Sequence, residues 1–140
     1  MSSIRRQAAD ELHSAAIHLL RRVARQDAGA GVSPPRMSAL SVLVFTGPKT
    51  ISELAAMERV KLPTMSRLVS AMEEEGLARR EPHARDGRVV TVHATPKGRR
   101  ALDRGRELRL RALEELLGGA SAQEVAVIRE AAAIVDRLVL

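Results

Sequence analysis

The sequence predicts a mainly α-helical chain with one short β-hairpin, an α+β fold built around a helix-turn-helix. Three observations carry that reading. Apolar residues recur at helical spacing through most of the 140 residues. One stretch, residues 77–94, instead divides into two alternating runs around Asp86-Gly87, a hairpin signal. The chain holds one Phe, no Tyr and no Trp, so Leu, Val, Ile, Met and Ala must fill the core, which suits close helix packing better than a β-sandwich.

The elements follow in order. Residues 3–25 read as an amphipathic helix with Ile4, Ala8, Leu12, Ala15, Leu19 and Val23 on one face. A break is expected at Ala28–Val32. Ser33 then offers an N-cap and Pro34 a first helical position, because proline's missing N–H has no intrahelical partner to lose there. This second helix turns Met37, Leu40, Leu43 and Val44 inward, with Leu40–Phe45 as a buried turn or two, and stops at Gly47-Pro48. Thr50 and Glu53 form a capping box for a short helix from Ile51 to about Glu58, with Leu54, Ala55 and Met57 inward. A tight turn, Arg59–Leu62, leads to Pro63 as the first residue of another helix. That helix buries Leu68, Val69 and Met72, keeps Thr64, Ser66, Arg67 and Ser70 on other faces, and ends at Gly76.

Strands are expected at Leu77–Glu81 and Val89–Ala94, with Val90, Val92 and Ala94 alternating with Thr91 and His93 and a polar loop from Pro82 to Arg88 between the strands. Thr95-Pro96 repeats the cap-plus-proline start and opens a long helix to about Leu117, which Gly118-Gly119 breaks. Ser121 with Glu124 is a second capping box, and Val125, Ile128, Ala132, Val135 and Val139 continue to the C-terminus. Short helix, tight turn and second helix make a helix-turn-helix; the hairpin directly after it is a wing. The length fits a single domain, 1–140.

Charge is unevenly placed. Between Lys61 and Arg111 lie 13 Lys/Arg against 7 Asp/Glu, a net of +6, while the remainder is balanced at 10 against 10. A third of the chain thus carries the whole excess, as a face meeting a polyanion would. The absence of cysteine excludes disulfides, thiolate metal sites and thiol redox sensing. Near-absence of aromatics argues against modules that stack single-stranded bases. No signal-peptide pattern or membrane-length apolar run is present, so a cytoplasmic location away from any membrane is expected.

An ordered series of motifs resembles the MarR family (multiple-antibiotic-resistance regulators). It runs Glu53-Leu54-Ala55, Pro63-Thr64-Met65-Ser66-Arg67-Leu68-Val69, Met72-Glu73, Gly76-Leu77, Arg80, Asp86-Gly87-Arg88 and Thr95-Pro96-Lys97-Gly98. The resemblance implies a winged helix-turn-helix lobe over residues 34–98, flanked by dimerisation helices at 1–28 and 99–140. It implies a homodimer that binds double-stranded DNA at a pseudo-palindromic operator, as a ligand-responsive repressor whose small-molecule effector is not named by the sequence. Two positions depart from the pattern. Arg59 stands where Gly is frequent, so the turn is either left-handed at a cost of order 1 kcal/mol or differently shaped, and Lys61 stands where Ser often caps.

By that resemblance the helix from Pro63 enters the major groove and the wing reaches the minor groove. Lys61 suits a phosphate; Thr64, Ser66 and Ser70 offer short hydroxyls; Arg67 suits guanine, or pairs with a carboxylate such as Glu74. Arg85 and Arg88 suit a narrow minor groove. Asp86 either orients Arg88 or Arg80 by a charge-assisted hydrogen bond or serves only the backbone of its turn. His13 and His18 are five residues apart, off the spacing that puts two ligands on one helical face, and His83 and His93 fall in the wing, so no metal or other cofactor is expected. No phosphate loop, His-Glu-x-x-His or Gly-x-Ser-x-Gly occurs, and an enzyme is not expected. The rival is a winged lobe that docks protein, since fold alone does not prove DNA binding.

Overall fold

A computed structural model describes residues 3–25 and 31–140. Among the described residues six helices and one antiparallel hairpin run in the order α1 (Ile4–Ala24), α2 (Pro34–Thr46), α3 (Ile51–Glu58), α4 (Leu62–Glu74), β1 (Ala78–Pro82), β2 (Val90–Ala94), α5 (Pro96–Leu117) and α6 (Ala122–Val139). The expected break at Ala28–Val32 falls mostly outside the described residues, at Ala28 to Ala30. Gly31 sits at φ 72°, where only glycine is unstrained.

Local signals set most boundaries. Thr50 and Glu53 exchange side-chain and backbone hydrogen bonds as a complete capping box, and so do Ser121 and Glu124. Ser33 caps α2 by position only, because its hydroxyl accepts from Arg36 Nη1 at 2.9 Å instead of from the backbone. Lys61 is the N-cap of α4, so Pro63 is its second residue, one later than expected. Arg59 takes the left-handed option, φ 55° and ψ 43°, with the Val60 N–H reaching Ala55 O at 3.0 Å.

The core lies within residues 37–102 and is built from α2, α3, α4, the hairpin and the first half of α5. Leu40, Leu54, Met65, Met72, Val69 and Val92 are fully buried at its centre. Several expectations are corrected here. Met65 is the deeply buried residue of the first turn of α4, and Leu68 only borders the core. Met57 and Phe45 are exposed, at 49% and 75%. In β2 Thr91 is buried while Val90 is exposed, the reverse of the simple alternation. A contact distant in sequence explains part of this: Lys49 pairs with Val92 through N–H to O bonds of 2.7 and 3.2 Å and covers that edge of the hairpin.

The terminal helices are poorly covered, although α1 lies against α5. Neither α1 nor α6 buries a single residue, and Ile4, Leu12, Val127, Ile128, Ile134 and Leu138 are all exposed. Water on such faces forgoes about 1.5–3 kcal/mol for each large side chain that a partner surface would cover.

Two substitutions should move stability in opposite directions. A Cβ on Gly98 would lie 2.1 Å from the Leu77 carbonyl oxygen and 2.9 Å from Leu40 Cδ2. Gly98→Ala should therefore cost about 1–3 kcal/mol and lower the thermal midpoint by several degrees. Arg59→Gly removes the left-handed penalty and should raise stability by up to about 1 kcal/mol, and the midpoint with it. Thermal melts followed by circular dichroism check both.

Candidate nucleic-acid interface

The helix-turn-helix places α4 with its apolar stripe, Met65, Val69 and Met72, against the core. Lys61, Pro63, Thr64 and Arg67 are consequently exposed, and Ser66 is half-buried. Arg67 makes no ion pair with Glu74 or any other carboxylate among the described residues. Ser70 is exposed, but its hydroxyl donates to Ser66 O at 3.0 Å and accepts from the Arg80 guanidinium at 3.3 and 3.4 Å. Its proton is committed within the chain.

The wing is a five-pair ladder from Ala78↔Ala94 to Pro82↔Val90. Its loop is closed by backbone bonds, His83 N–H to Val89 O at 2.6 Å and Val89 N–H to Asp86 O at 3.0 Å. Asp86 Oδ1 accepts the Arg88 backbone N–H at 3.1 Å, and His83 Nδ1 accepts the Arg85 N–H at 3.1 Å. Asp86 thus serves the turn, and the expectation that its carboxylate grips a guanidinium is corrected. The acid that orients Arg80 is Glu73, which takes both the guanidinium and, at 3.3 Å, the Arg80 backbone N–H. An acid seven positions upstream, across the end of a helix, escapes motif reading.

Three carboxylates of the lobe are held by arginines, while Glu74 on α4 is exposed with no partner among the described residues. Glu73 pairs with Arg80, Glu75 with Arg36 and Glu81 with Arg79. The hydrogen bond from Arg79 is the main reason the Glu81 carboxyl lies below its ordinary pKa; burial opposes it, and electrostatic attraction to Arg79 and then to His93 adds to the lowering. Lys61, Arg67, Arg85 and Arg88 remain exposed with no carboxylate partner among the described residues. Helix and wing thus both present unpaired cations, and the exposed Arg99, Arg100, Arg104 and Arg106 of α5 also lack a carboxylate partner among the described residues.

These two elements also meet. A cleft of about 480 Å³ is lined by Arg88 and Val89 from the wing, Leu62 and Ser66 from α4, and Thr50 and Ser52 from the start of α3. Ser52, absent from the sequence-level candidates, gains its place only through this packing. The histidines stay scattered: His13 and His18 are exposed on α1, while His93 contacts Thr91 Oγ1 at 2.9 Å and Glu81 at 3.4 Å. Among the described residues no group of three or more His, Asp or Glu is set to hold a metal, and no helix is long and apolar enough to cross a membrane.

Comparison with known proteins agrees with this architecture. The sequence profile of the MarR family matches residues 32–90. A helix-turn-helix-type transcriptional regulator of Mycobacterium leprae is 31% identical over 131 residues, covering 94% of this chain and 92% of the relative. A MarR family protein from Bacillus stearothermophilus superposes with a TM-score of 0.77 at 27% identity, covering 97% of both chains. A transcriptional regulator of Pseudomonas aeruginosa gives 0.81 at 27% identity, covering 99% of this chain and 97% of that one. With a winged lobe of the expected order and relatives matched along nearly their whole length, the chain belongs to the MarR family of transcriptional regulators.

Proposed function

We propose that this protein is a cytoplasmic, sequence-specific DNA-binding repressor that works as a homodimer by occupying an operator, without catalysing a reaction. The observation that supports it best is the set of exposed, unpaired cations that α4 and the wing present together. Among the described residues the side chains of Lys61, Arg67, Arg85 and Arg88 have no carboxylate partner, while Arg79 and Arg80 at the root of the wing are paired. A wing used to dock protein has no need of that arrangement.

In this reading residues 34–98 form the DNA-binding lobe, and 1–28 with 99–140 assemble two copies. Arg67 reads guanine from the major groove. Thr64, Ser66 and the Pro63 turn lie against the backbone with Lys61, and Arg85 and Arg88 enter the minor groove. Ser70 belongs to the support of the site through its bonds to Ser66 and Arg80. Two lobes related by a twofold axis fit half-sites about 10 base pairs apart. A small effector held between lobe and assembly helices would change the separation of the two α4 helices and release the operator.

Three outcomes are expected. Binding to random duplex should fall steeply with salt, and a salt-independent interaction would favour protein docking over DNA. After selection from a random duplex pool, Arg67→Ala should lose about 1–3 kcal/mol and relax base preference, whereas Arg88→Ala should lose affinity mainly at sites with A·T-rich flanks. Sedimentation should give a species of twice 15.2 kDa. Equal losses at every sequence for both variants would overturn the assigned roles.

A further inference from the structure

Arg80 is the most heavily engaged side chain of the lobe. It leaves β1 and lies along α4, touching three successive sites on that helix. Its Nη1 pairs with Glu73 Oε1, both terminal nitrogens face Ser70 Oγ at 3.3 and 3.4 Å, and Nη2 reaches Ser66 O at 3.4 Å. Glu73 holds the same strand a second time, through the Arg80 backbone N–H at 3.3 Å. Both side chains are about two-thirds covered, at 29% and 32% exposure, so the contacts are better shielded than a surface ion pair.

Its position gives this cluster a use. Arg80 is directly opposite Val92 in the ladder, and Val92 is fully buried and bonded to Lys49, so the root of the wing is fixed. Beyond Arg80 only Glu81 and Pro82 remain before the loop that carries Arg85 and Arg88. On the helix side the cluster spans Ser66 to Glu73, the segment that includes Arg67.

We infer that Glu73, Arg80 and Ser70 form a brace that sets the angle between α4 and the wing, so that Arg67 and Arg88 meet their two grooves together. The inference rests on the DNA-binding reading above. Arg80 and Glu73 act as positioning residues, and neither needs to touch DNA. The brace makes a prediction opposite in sign to simple electrostatics. Removing the negative charge of Glu73 beside a polyanion should tighten binding if charge alone matters. If the brace matters, it should loosen binding to the preferred site.

The test compares the full-length wild type with Glu73→Gln on two probes, a duplex selected by the wild type from a random pool and an unselected random duplex. The selected duplex should bind about tenfold more weakly, the scale of one well-made groove contact, while the random duplex is bound as well or better. In the Glu73→Gln background Arg88→Ala should then cost less than it does in the wild type. Unchanged or tighter binding of the selected duplex overturns the brace. So does an equal loss on both probes, which reports damaged folding, and so do independent costs for the two substitutions. A wild type that shows no salt-dependent binding at all sinks the DNA reading first, before the variants are compared.

Discussion

Recognition helix, wing and long helix are joined at one small knot of hydrogen bonds, and their mutual geometry depends on it. The Thr95 hydroxyl accepts the Gly98 N–H at 3.1 Å and donates to Gly76 O at 2.5 Å. Leu77 donates its N–H to Met72 O at 2.8 Å and accepts the Thr95 N–H at 3.1 Å. One residue therefore ends α4, another starts α5, and the root of the hairpin is held between them. Gly98 is required because α5 presses its backbone onto the Leu77 carbonyl, where even a methyl group has no room. Lys97 adds a bond from its Nζ to Glu75 O at 2.8 Å, closing the same junction from outside.

The parts of this plan that sequence made legible are those whose cause is local. Thr50 with Glu53, Ser121 with Glu124, and Gly76 after α4 each satisfy orphan backbone groups within a few residues, so spacing alone reveals them. The winged order of elements followed from these punctuation marks. Arg59 was the exception that stayed open, because a left-handed arginine is tolerated only when the flanking packing enforces it.

What stayed hidden depends on neighbours distant in the chain. Phe45 falls in an apolar run, yet it faces outward because α2 turns Leu40 and Leu43 to the core. Thr91 is buried and Val90 exposed, in a hairpin where Lys49 supplies a third edge opposite Val92. The acid gripping Arg80 lies on the preceding helix and not in the wing, so a pattern centred on Asp86 pointed to the wrong carboxylate. Among the candidate DNA contacts, exposure was readable from helical phase, but the difference between a free Arg67 and an engaged Ser70 was not.

The bareness of α1 and α6 has a thermodynamic corollary. Helices of 21 and 18 residues with no buried side chain have little reason to persist alone in water, whereas the lobe owns a complete core. Should two copies cover these faces, as proposed above, the ends would gain their order from association, and mass action would enter the stability of the fold. Dilution and partial melting would then become one event, in which the lobe survives after its flanks have frayed.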